Sequence, residues 1–443
     1  MPRNKDNDRR HKAVPTSRVG RFARMARMAS GVAGGMLAEG SRQLRDGKRL
    51  NARDMLLTPA NARRVADQLA TMRGAAMKVG QMLSMDTGDF LPRELADILA
   101  RLRDDARFMP VDQLCDVMED AFGTDWESMF YNFDMQPIAA ASIGQVHRTL
   151  SPEGYDIVLK IQYPGVADSI DSDVNNITGL LRLSGLIPDD VDIQPLLDDA
   201  KAQLKDEADY LLEAEYLEAF GDLLADDERF IVPTLVPEYT HENILAMTYV
   251  SGDPIDTVAK LPQEDRDAVM TALIELVLRE LFELRLMQTD PNFANYRYRP
   301  EDGRIVLLDF GATRKYTAAF SNGFKRLAKA AIAGNPTRMI KAAEALGYSV
   351  GEEDSEYREM ILQAFELALE PLCEDVPYDF ATSTIAQEFA EMGESMMAYR
   401  EVMQPPPIQA VFFQRKLGGM FMLATRLKAR VNVHQLIAPF LKG

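Results

Sequence analysis

The chain has 443 residues, of which 47% are hydrophobic and 27% are charged, a composition typical of a folded globular protein with about two or three domains. Its formal net charge of −18 excludes a general nucleic-acid-binding protein, because such proteins need a basic surface. The two cysteines exclude a disulfide framework and indicate a reducing compartment, and the four histidines lack zinc-site spacing. Any metal is therefore expected to be a hard cation held by oxygen ligands.

The first part of the chain is strongly basic. Residues 1–64 carry sixteen Lys or Arg against five Asp or Glu, a net charge of +11 that leaves −29 for the remainder. Within 20–44, arginines and apolar residues alternate at near-helical spacing, as in a helix on a membrane surface. We predict that the basic segment 1–60 binds anionic lipid, and the alternative is a solvated, disordered tail. No run of about 18 uncharged apolar residues occurs and residues 1–12 do not form a secretory signal, so a cytoplasmic, peripheral protein is expected.

The predicted secondary structure changes character near residue 136. The extension at 61–135 has helical periodicity, with residue patterns that repeat every three to four positions. Two strands follow, at 138–150 and 155–165, joined by the turn Ser151–Gly154. The acidic stretch at 166–225 is again predicted to be helical.

The second half is predicted to begin with short strands and to end in helices. The predicted elements are strands at 229–236 and 243–252, a long helix at 268–287, short strands at 295–300 and 304–311, and a helical tail from 318 that breaks near Pro336 and at Pro405–Pro407. This order predicts an α+β, bilobal protein-kinase-like fold. Its N-lobe would span 136–250 with a helical insert at about 166–205, and its C-lobe would span 251–443.

Two motifs in the second half carry the predicted chemistry. In TDPNFANY, Asp290 and Asn295 have the spacing of a kinase catalytic loop, in which the aspartate meets the hydroxyl group and the asparagine binds metal. Fourteen residues after Asn295, Asp309 follows an apolar strand and begins the sequence DFG. A Mg²⁺ ion that bridges phosphates needs oxygen ligands from two elements. Asn295 and Asp309 are therefore the predicted metal ligands, and Asp290 is the predicted catalytic residue.

A third motif supplies the expected phosphate contacts. Lys160 ends the strand IVLK, sixteen residues after Gly144, where a lysine is placed to reach the α- and β-phosphates. Gly144 is the one glycine in a loop that is otherwise unlike the glycine-rich loop of kinases. The loop residues with a Cβ, also predicted to contact nucleotide, are Ala139, Ala140, Ala141 and Ser142. Their Cβ atoms restrict the backbone and crowd the phosphates, so nucleotide selection is expected to differ from that of an ordinary kinase.

Together these motifs resemble the UbiB family of atypical kinase-like ATPases, which support ubiquinone biosynthesis. The resemblance runs from about residue 60 to 315, with a family-like helical tail beyond it. It rests on KVGQ at 78–81, AAASIGQVH at 139–147, VLK at 158–160, EADYLLEAE at 207–215, and the segments QTDPNFAN and LLDFGATR. The basic segment at 20–44 also resembles the amino-terminal part of the mitochondrial members.

The resemblance assigns a partner to the nucleotide lysine. It implies that Lys160 contacts nucleotide and that Glu213 is its ion-pair partner. Spacing alone does not choose Glu213 over Glu207 or Glu215, so this assignment depends on the family.

The resemblance also assigns a regulatory extension. Lys78 and Gln81 belong to it, and in the family it folds over the active site and hinders access by protein substrates. Their separation of three residues places both on one helix face. Glu207 and Asp209 are the acidic pair that the family places against this extension.

The activity implied by the resemblance is ATP hydrolysis, stimulated by membranes and phenols like quinone precursors, with protein phosphorylation suppressed. ATP or ADP and Mg²⁺ are the expected cofactors. The nucleotide is expected to lie between the lobes, with the edge of its adenine ring against the backbone near Met247 and Val250. The expected partners are anionic and quinone-precursor-like lipids, with other ubiquinone-biosynthesis proteins and a second copy of the chain as further candidates. The expected site of action is the inner membrane surface, on the matrix side if the chain is eukaryotic.

Two departures from related proteins bear on these expectations. Gln288 and Thr289 stand where a typical kinase has His-Arg before its catalytic aspartate. The sequence also lacks the carboxy-terminal transmembrane pair of some bacterial members, which favours docking on a membrane surface.

Three other functions are compatible with parts of the sequence. A small-molecule kinase of the choline or aminoglycoside type shares the Asp, Asn and Asp pattern, but it is not expected to carry KVGQ and EADY. A nucleotide-sensing pseudokinase scaffold is disfavoured because every catalytic position is present. A purely structural helical protein does not account for so many polar motifs in order.

Overall fold

The protein is described by a computed structural model over residues 108–183, 194–352, 355–396, 399 and 406–442. These residues divide into two compact units. The first unit holds the described residues up to Glu215 together with Thr234–Tyr249, and the second holds Tyr216–Pro233 and the described residues from Val250 onward.

Several predictions concern other parts of the chain. The basic segment 1–60 and most of the extension at 61–135 lie outside the described residues, and so do Lys78 and Gln81. The roles assigned to them stay predictions.

A four-stranded antiparallel sheet forms the frame of the first unit. Its strands, in spatial order, are Ala139–Ala140, Gly144–Leu150, Asp156–Gln162 and Ile244–Thr248. The predicted hairpin is confirmed at Gly144–Leu150 and Asp156–Gln162, with its turn at Ser151–Gly154, but Ala139–Ala140 folds back as a separate strand and does not continue the first one. Gly154 has a φ of 88°, a left-handed conformation that glycine adopts without steric cost. Every residue from Ile157 to Gln162 is buried, so this strand is covered on both faces.

One face of this sheet is covered by a helix from the start of the described chain. The helix Val111–Phe122 buries Leu114, Val117 and Met118, which are spaced three and four residues apart and so lie on one face. With Trp126, these residues join a core cluster that includes sheet residues. Burial of this apolar face stabilises the first unit at roughly 25 cal/mol per Å² of apolar surface removed from water.

Three helices confirm the helical prediction for 166–225 where that stretch is described. They are Val166–Leu183, Gln194–Glu207 and Tyr210–Leu223. The last of them begins in the first unit and continues into the second.

The predicted long helix at 268–287 is wrong at both ends. The observed helix, Gln263–Arg279, begins earlier and ends in a π-helical turn at Glu280–Leu284. The chain then leaves the helix at Arg285, and Leu286–Gln288 pairs as a strand with Thr313–Lys315. A short apolar run is compatible with either a buried helix or a buried strand. The partner strand, Thr313–Lys315, was not predicted.

A second sheet lies in the second unit. In spatial order its strands are Phe230–Ile231, Arg304–Leu307, Tyr296–Arg299 and Asp253–Pro254. The strands predicted at 295–300 and 304–311 are confirmed at Tyr296–Arg299 and Arg304–Leu307, which form an antiparallel hairpin, although the second strand ends earlier than predicted. The strand predicted at 229–236 is confirmed only at Phe230–Ile231, and the one at 243–252 only at Ile244–Thr248.

The rest of the second unit is mainly helical, as predicted. The helices are Ala318–Ile332, Pro336–Leu346, Glu356–Cys373, Ile385–Met396, Ile408–Leu427 and Val433–Leu441. Pro336 occupies the first turn of its helix, where a missing N–H is not needed, and Pro407 immediately precedes another. One short strand pair, Tyr378–Asp379 with Arg430–Val431, was not predicted. Over the described ranges, none of the helices combines the length and apolar character required to cross a bilayer.

Candidate active site

The first unit contains a buried ion pair between Lys160 and Glu213. Lys160 Nζ donates to Glu213 Oε1 at 2.7 Å and to Oε2 at 2.8 Å. The lysine lies on the strand Asp156–Gln162, and the glutamate lies in the first turn of the helix Tyr210–Leu223 with 1% of its surface exposed. Burying a charge is costly unless it is paired and hydrogen-bonded, and this contact does both for Lys160 and Glu213 while joining the strand to the helix. The structure thus selects Glu213 from the three glutamates that spacing left open.

The loop from Ala139 to Gly144, named here the alanine-rich loop, packs tightly against the strand that carries Lys160. Ala141 N donates to Gly144 O at 2.9 Å, which closes a short turn between the first two strands. A Cβ on Gly144 would overlap the carbonyl oxygen of Ile161 and lie 2.9 Å from Tyr210 Oη. Glycine is therefore required at this position by close packing. Tyr210, which sequence reasoning missed, also lies with its ring 5.2 Å from Lys160 Nζ.

The acidic pair of the EADY motif makes two different contacts. Ser142 Oγ donates to Glu207 Oε2 at 2.9 Å, which ties the alanine-rich loop to the end of the helix Gln194–Glu207. Asp209 Oδ1 instead accepts from Leu212 N at 2.9 Å, as a residue at a helix N-terminus does. Asp209 therefore helps to start the helix on which Glu213 stands.

The second unit brings together the predicted catalytic residue, Asp290, and the two predicted metal ligands, Asn295 and Asp309. Asn295 Nδ2 donates to Asp290 Oδ2 at 3.2 Å. The carbonyl oxygen of Asn295 accepts from Leu308 N at 3.0 Å, so Asn295 is joined to the residue that precedes Asp309. Asp309 Oδ1 accepts from Gly311 N at 3.1 Å. The segment with Asp290 and Asn295 and the segment with Asp309 flank the hairpin Tyr296–Leu307 and are thus held side by side through Asn295.

Two further residues hold these segments in place. Thr289 donates from its backbone N and from its Oγ1 to the carbonyl of Ala312, at 3.1 and 2.7 Å. Phe310 is 2% exposed and packs on Phe220 with ring centroids 4.9 Å apart. Sequence reasoning noted Thr289 only as a departure from His-Arg, and it missed Phe220 because the pairing depends on tertiary structure.

The oxygen donors of this region fit Mg²⁺. Asp290 and Asp309 supply carboxylates, and Asn295 supplies an amide whose nitrogen is directed to Asp290, which leaves its oxygen as the candidate metal ligand. No three His, Cys, Asp or Glu side chains gather into a metal cage within the described ranges. Mg²⁺ does not require such a cage, because it is usually bound by one or two carboxylates and substrate phosphates.

The two residues predicted near the adenine lie on either side of the boundary in the chain, between Tyr249 and Val250, at which the first unit ends and the second resumes. Met247 belongs to the strand Ile244–Thr248 and pairs with Val158, whereas Val250 is the first residue of the second unit's longer segment. Their contact with adenine stays a prediction, as do the individual roles of the other candidate residues.

Comparison with known proteins identifies the family. The ABC1 atypical kinase-like domain matches residues 101–343. The chain is 36% identical over 439 residues to "Atypical kinase COQ8B, mitochondrial" of Danio rerio, covering 98% of this chain and 70% of that protein. It is also 36% identical over 426 residues to "Atypical kinase COQ8, mitochondrial" of Saccharomyces cerevisiae, covering 96% and 85%.

A solved structure supports the fold. The complex of Rv3197 with erythromycin from Mycobacterium tuberculosis matches with a TM-score of 0.59 at 25% identity, covering 83% of this chain and 92% of that chain. The predicted kinase-like α+β fold is confirmed. The chain belongs to the ABC1 atypical kinase-like family, the UbiB family that its motifs predicted.

Proposed function

We propose that this protein is an atypical kinase-like ATPase that binds Mg²⁺–ATP and supports ubiquinone biosynthesis at a membrane surface. The observation that carries the proposal is the double connection of Asn295, to Asp290 and to the backbone beside Asp309. Phosphoryl transfer depends on such fixed positioning of charged groups more than on covalent chemistry by the protein.

The first unit would bind the phosphates. Lys160, oriented by Glu213, would donate to the α- and β-phosphate oxygens and neutralise part of their charge. The alanine-rich loop from Ala139 to Gly144 would lie over the phosphates and restrict their placement. The backbone near Met247 and Val250 would contact the adenine edge.

The second unit would supply the reacting groups. Asn295 and Asp309 would hold Mg²⁺, which when bound neutralises charge on the phosphate oxygens. Asp290 would orient the attacking water and accept its proton as the γ-phosphoryl group passes to the water oxygen, which yields ADP and phosphate.

Family membership supports a role near lipid. We infer that the physiological stimulus is an anionic membrane carrying phenolic quinone precursors, and that the basic segment 1–60 contributes to docking. Its charge is the supporting feature, because basic residues near an anionic surface each contribute about 1 kcal/mol of attraction.

The test is phosphate release by the purified full chain with Mg²⁺–ATP, with and without anionic liposomes that contain a phenolic quinone precursor. We expect turnover that rises with the liposomes and falls at least about 100-fold in Asp309→Asn, because one oxygen ligand of the metal loses its charge. Asp226→Asn, an exposed carboxylate of the same unit, is the matched control and should behave as wild type.

The outcomes separate the competing functions. Unchanged phosphate release in Asp309→Asn would contradict the proposal. Nucleotide binding without any release would indicate a pseudokinase scaffold, and transfer of labelled phosphate to a soluble metabolite would indicate a small-molecule kinase.

A further inference from the structure

A helix far along the chain reaches the predicted catalytic loop. Lys416, on the helix Ile408–Leu427, is 2% exposed. Its Nζ donates to Gln288 Oε1 at 3.0 Å and to Tyr296 Oη at 2.7 Å. Tyr296 directly follows the loop Asp290–Asn295 and Gln288 lies two residues before it, so one ammonium group hydrogen-bonds to both flanks of the loop.

The same helix also contacts the middle of the loop. Gly419 lies three residues after Lys416 and therefore on the same helix face. A Cβ on Gly419 would overlap Pro291 Cβ and lie 3.1 Å from its Cα. At the neighbouring Gly418, a Cβ would meet nothing within 4 Å. The close approach is thus specific to the glycine that faces Pro291.

The charge of Lys416 is balanced loosely. Glu280 is 1% exposed, and its Oε2 lies 4.0 Å from Lys416 Nζ, too far for a hydrogen bond. Glu280 Oε1 accepts from Gln288 N at 3.4 Å. Burial raises the pKa of Glu280 to about 7, with Lys416 opposing the rise. Lys416 therefore donates to Gln288 and Tyr296 and makes no hydrogen bond to Glu280.

Packing alone does not account for this arrangement. A buried charge pair is often no more stabilising than apolar residues of similar volume, so an apolar side chain at position 416 would fill the site at less cost. What an apolar side chain does not supply is the pair of hydrogen bonds to Gln288 and Tyr296. Their geometric effect is to fix the spacing between the two ends of the loop.

We propose that Lys416 and Gly419 are positioning residues for the loop Asp290–Asn295, and that the helix Ile408–Leu427 sets the loop geometry required for phosphoryl transfer. This inference rests on the proposed function, since the groups positioned are its catalytic and metal-binding residues. Gln288 and Thr289 complete the support, because Gln288 joins the loop to Lys416 and Thr289 joins it to Ala312.

A double variant separates positioning from charge balance. Lys416→Met removes both hydrogen bonds and leaves Glu280 buried, so the kcat of ATP hydrolysis should fall by about 10- to 100-fold and the Tm should fall by several degrees. In Glu280→Gln with Lys416→Met a neutral amide replaces the carboxyl, so the cost of burying that carboxyl without its cation is gone and the Tm should return toward wild type. The kcat should stay low, and the KM for ATP should stay within about twofold because Lys160 is untouched.

Adjacent glycines supply a second, independent test. Gly419→Ala pushes against Pro291 and should lower kcat by about tenfold, because small displacements of positioned groups have large effects on rate. Gly418→Ala adds the same methyl group to open space and should leave kcat unchanged.

Hydrogen exchange supplies a readout that does not need turnover. Peptides within 286–299 should exchange at least about tenfold faster in the double variant than in wild type, because the loop loses two hydrogen bonds, whereas peptides within 156–162 should not change. Wild-type protein without ATP hydrolysis would refute the proposed function, and the exchange experiment would still decide this inference. Recovery of wild-type kcat in the double variant, equal kcat in the two glycine variants, or unchanged exchange at 286–299 would each overturn it.

Discussion

Each unit of this protein buries a lysine near a glutamate, and the two pairs are built differently. In the first unit, Lys160 Nζ contacts both carboxylate oxygens of Glu213 at 2.7 and 2.8 Å. In the second unit, Lys416 Nζ stays 4.0 Å from Glu280 and donates instead to two neutral side chains of the loop region. A lysine close to a buried carboxylate therefore does not always donate its hydrogen bonds to that carboxylate.

The difference has an electrostatic consequence. A bidentate contact satisfies both charges at once, so removal of either partner leaves a buried ion. At 4.0 Å without a hydrogen bond, the attraction does not overcome desolvation, and the pKa of Glu280 rises to about 7. Lys160 and Glu213 join two elements through their charges. In the second pair Lys416 supports a loop, and the pKa of Glu280 lies near neutral pH.

Lys160→Met should break the first pair with the largest effect. Glu213 would remain buried without the Lys160 cation, so the free energy of unfolding of the first unit should fall by about 3 kcal/mol or more, and ATP turnover should fall at least about 100-fold. Fluorescence of Trp126, the only tryptophan and 2% exposed, reports this unit during urea denaturation. Lys205→Met, which breaks an exposed pair with Asp171, should cost less than about 0.5 kcal/mol. Equal stability of the two variants would contradict the comparison.

Titration of Glu280 should give the second largest effect. Its folded-state pKa of about 7 lies above its ordinary value of 4.5, so its stabilising contribution is complete below pH 4.5 and is lost as pH rises through 7. The groups that face it are Lys416, Tyr296 and Tyr316. Relative to Glu280→Gln, the wild-type free energy of unfolding should fall by about 3 kcal/mol between pH 4.5 and pH 8.

Calorimetry across this pH range measures the Glu280 effect. Glu283→Gln, an exposed carboxylate of the same turn, is the control and should keep the wild-type pH dependence. A wild-type profile parallel to that of Glu280→Gln would mean that Glu280 is charged throughout this range.

Glu213→Gln sharpens the comparison from the carboxylate side. The neutral amide keeps the shape but loses the charge-assisted bonds to Lys160, so the first unit should lose about 2 kcal/mol, seen by Trp126 fluorescence. Glu215→Gln should have no measurable effect, because Glu215 is exposed. If Glu215→Gln were the more damaging change, the pairing of Lys160 would be different from the one described.

Ser142→Ala should have the smallest effect of the four. It removes one hydrogen bond to Glu207 at the edge of the alanine-rich loop, worth about 1 kcal/mol. Amide exchange at 139–145 should quicken by about fivefold while exchange in the helix Val111–Phe122 stays constant. No change at 139–145 would show that the loop does not depend on this contact.

Much of the candidate site was predictable because its residues form short sequence patterns. Asp290 and Asn295 are five residues apart, and Asp309 follows the strand Arg304–Leu307, whose apolar residues predict a buried strand. The hairpin around Ser151–Gly154 was also predictable, since turn residues separate two apolar runs. Glu213 was assigned through family resemblance, because Glu207 and Glu215 fit the spacing equally.

Other features lay beyond sequence reasoning. The end of the helix Gln263–Arg279 was missed because Leu286 and Met287 continue its apolar pattern, and only pairing with Thr313–Lys315 makes them a strand. From sequence, Lys416 is a single charged residue in an amphipathic helix, and such a residue is expected to face solvent, so its burial was not predictable.

By itself, the sequence of this protein determined most of the order of strands and helices, the kinase-like family and the candidate residues that carry charge at the site. These depend on local spacing and composition, which act between near neighbours in the chain. Spacing left three glutamates open as partners of Lys160, and the tertiary structure shows that Glu213 makes the contact. Only the tertiary structure shows that Lys416 contacts Gln288, 128 residues away. Such contacts arise when buried polar groups must find partners inside a packed core, and the identity of those partners depends on how distant segments come together.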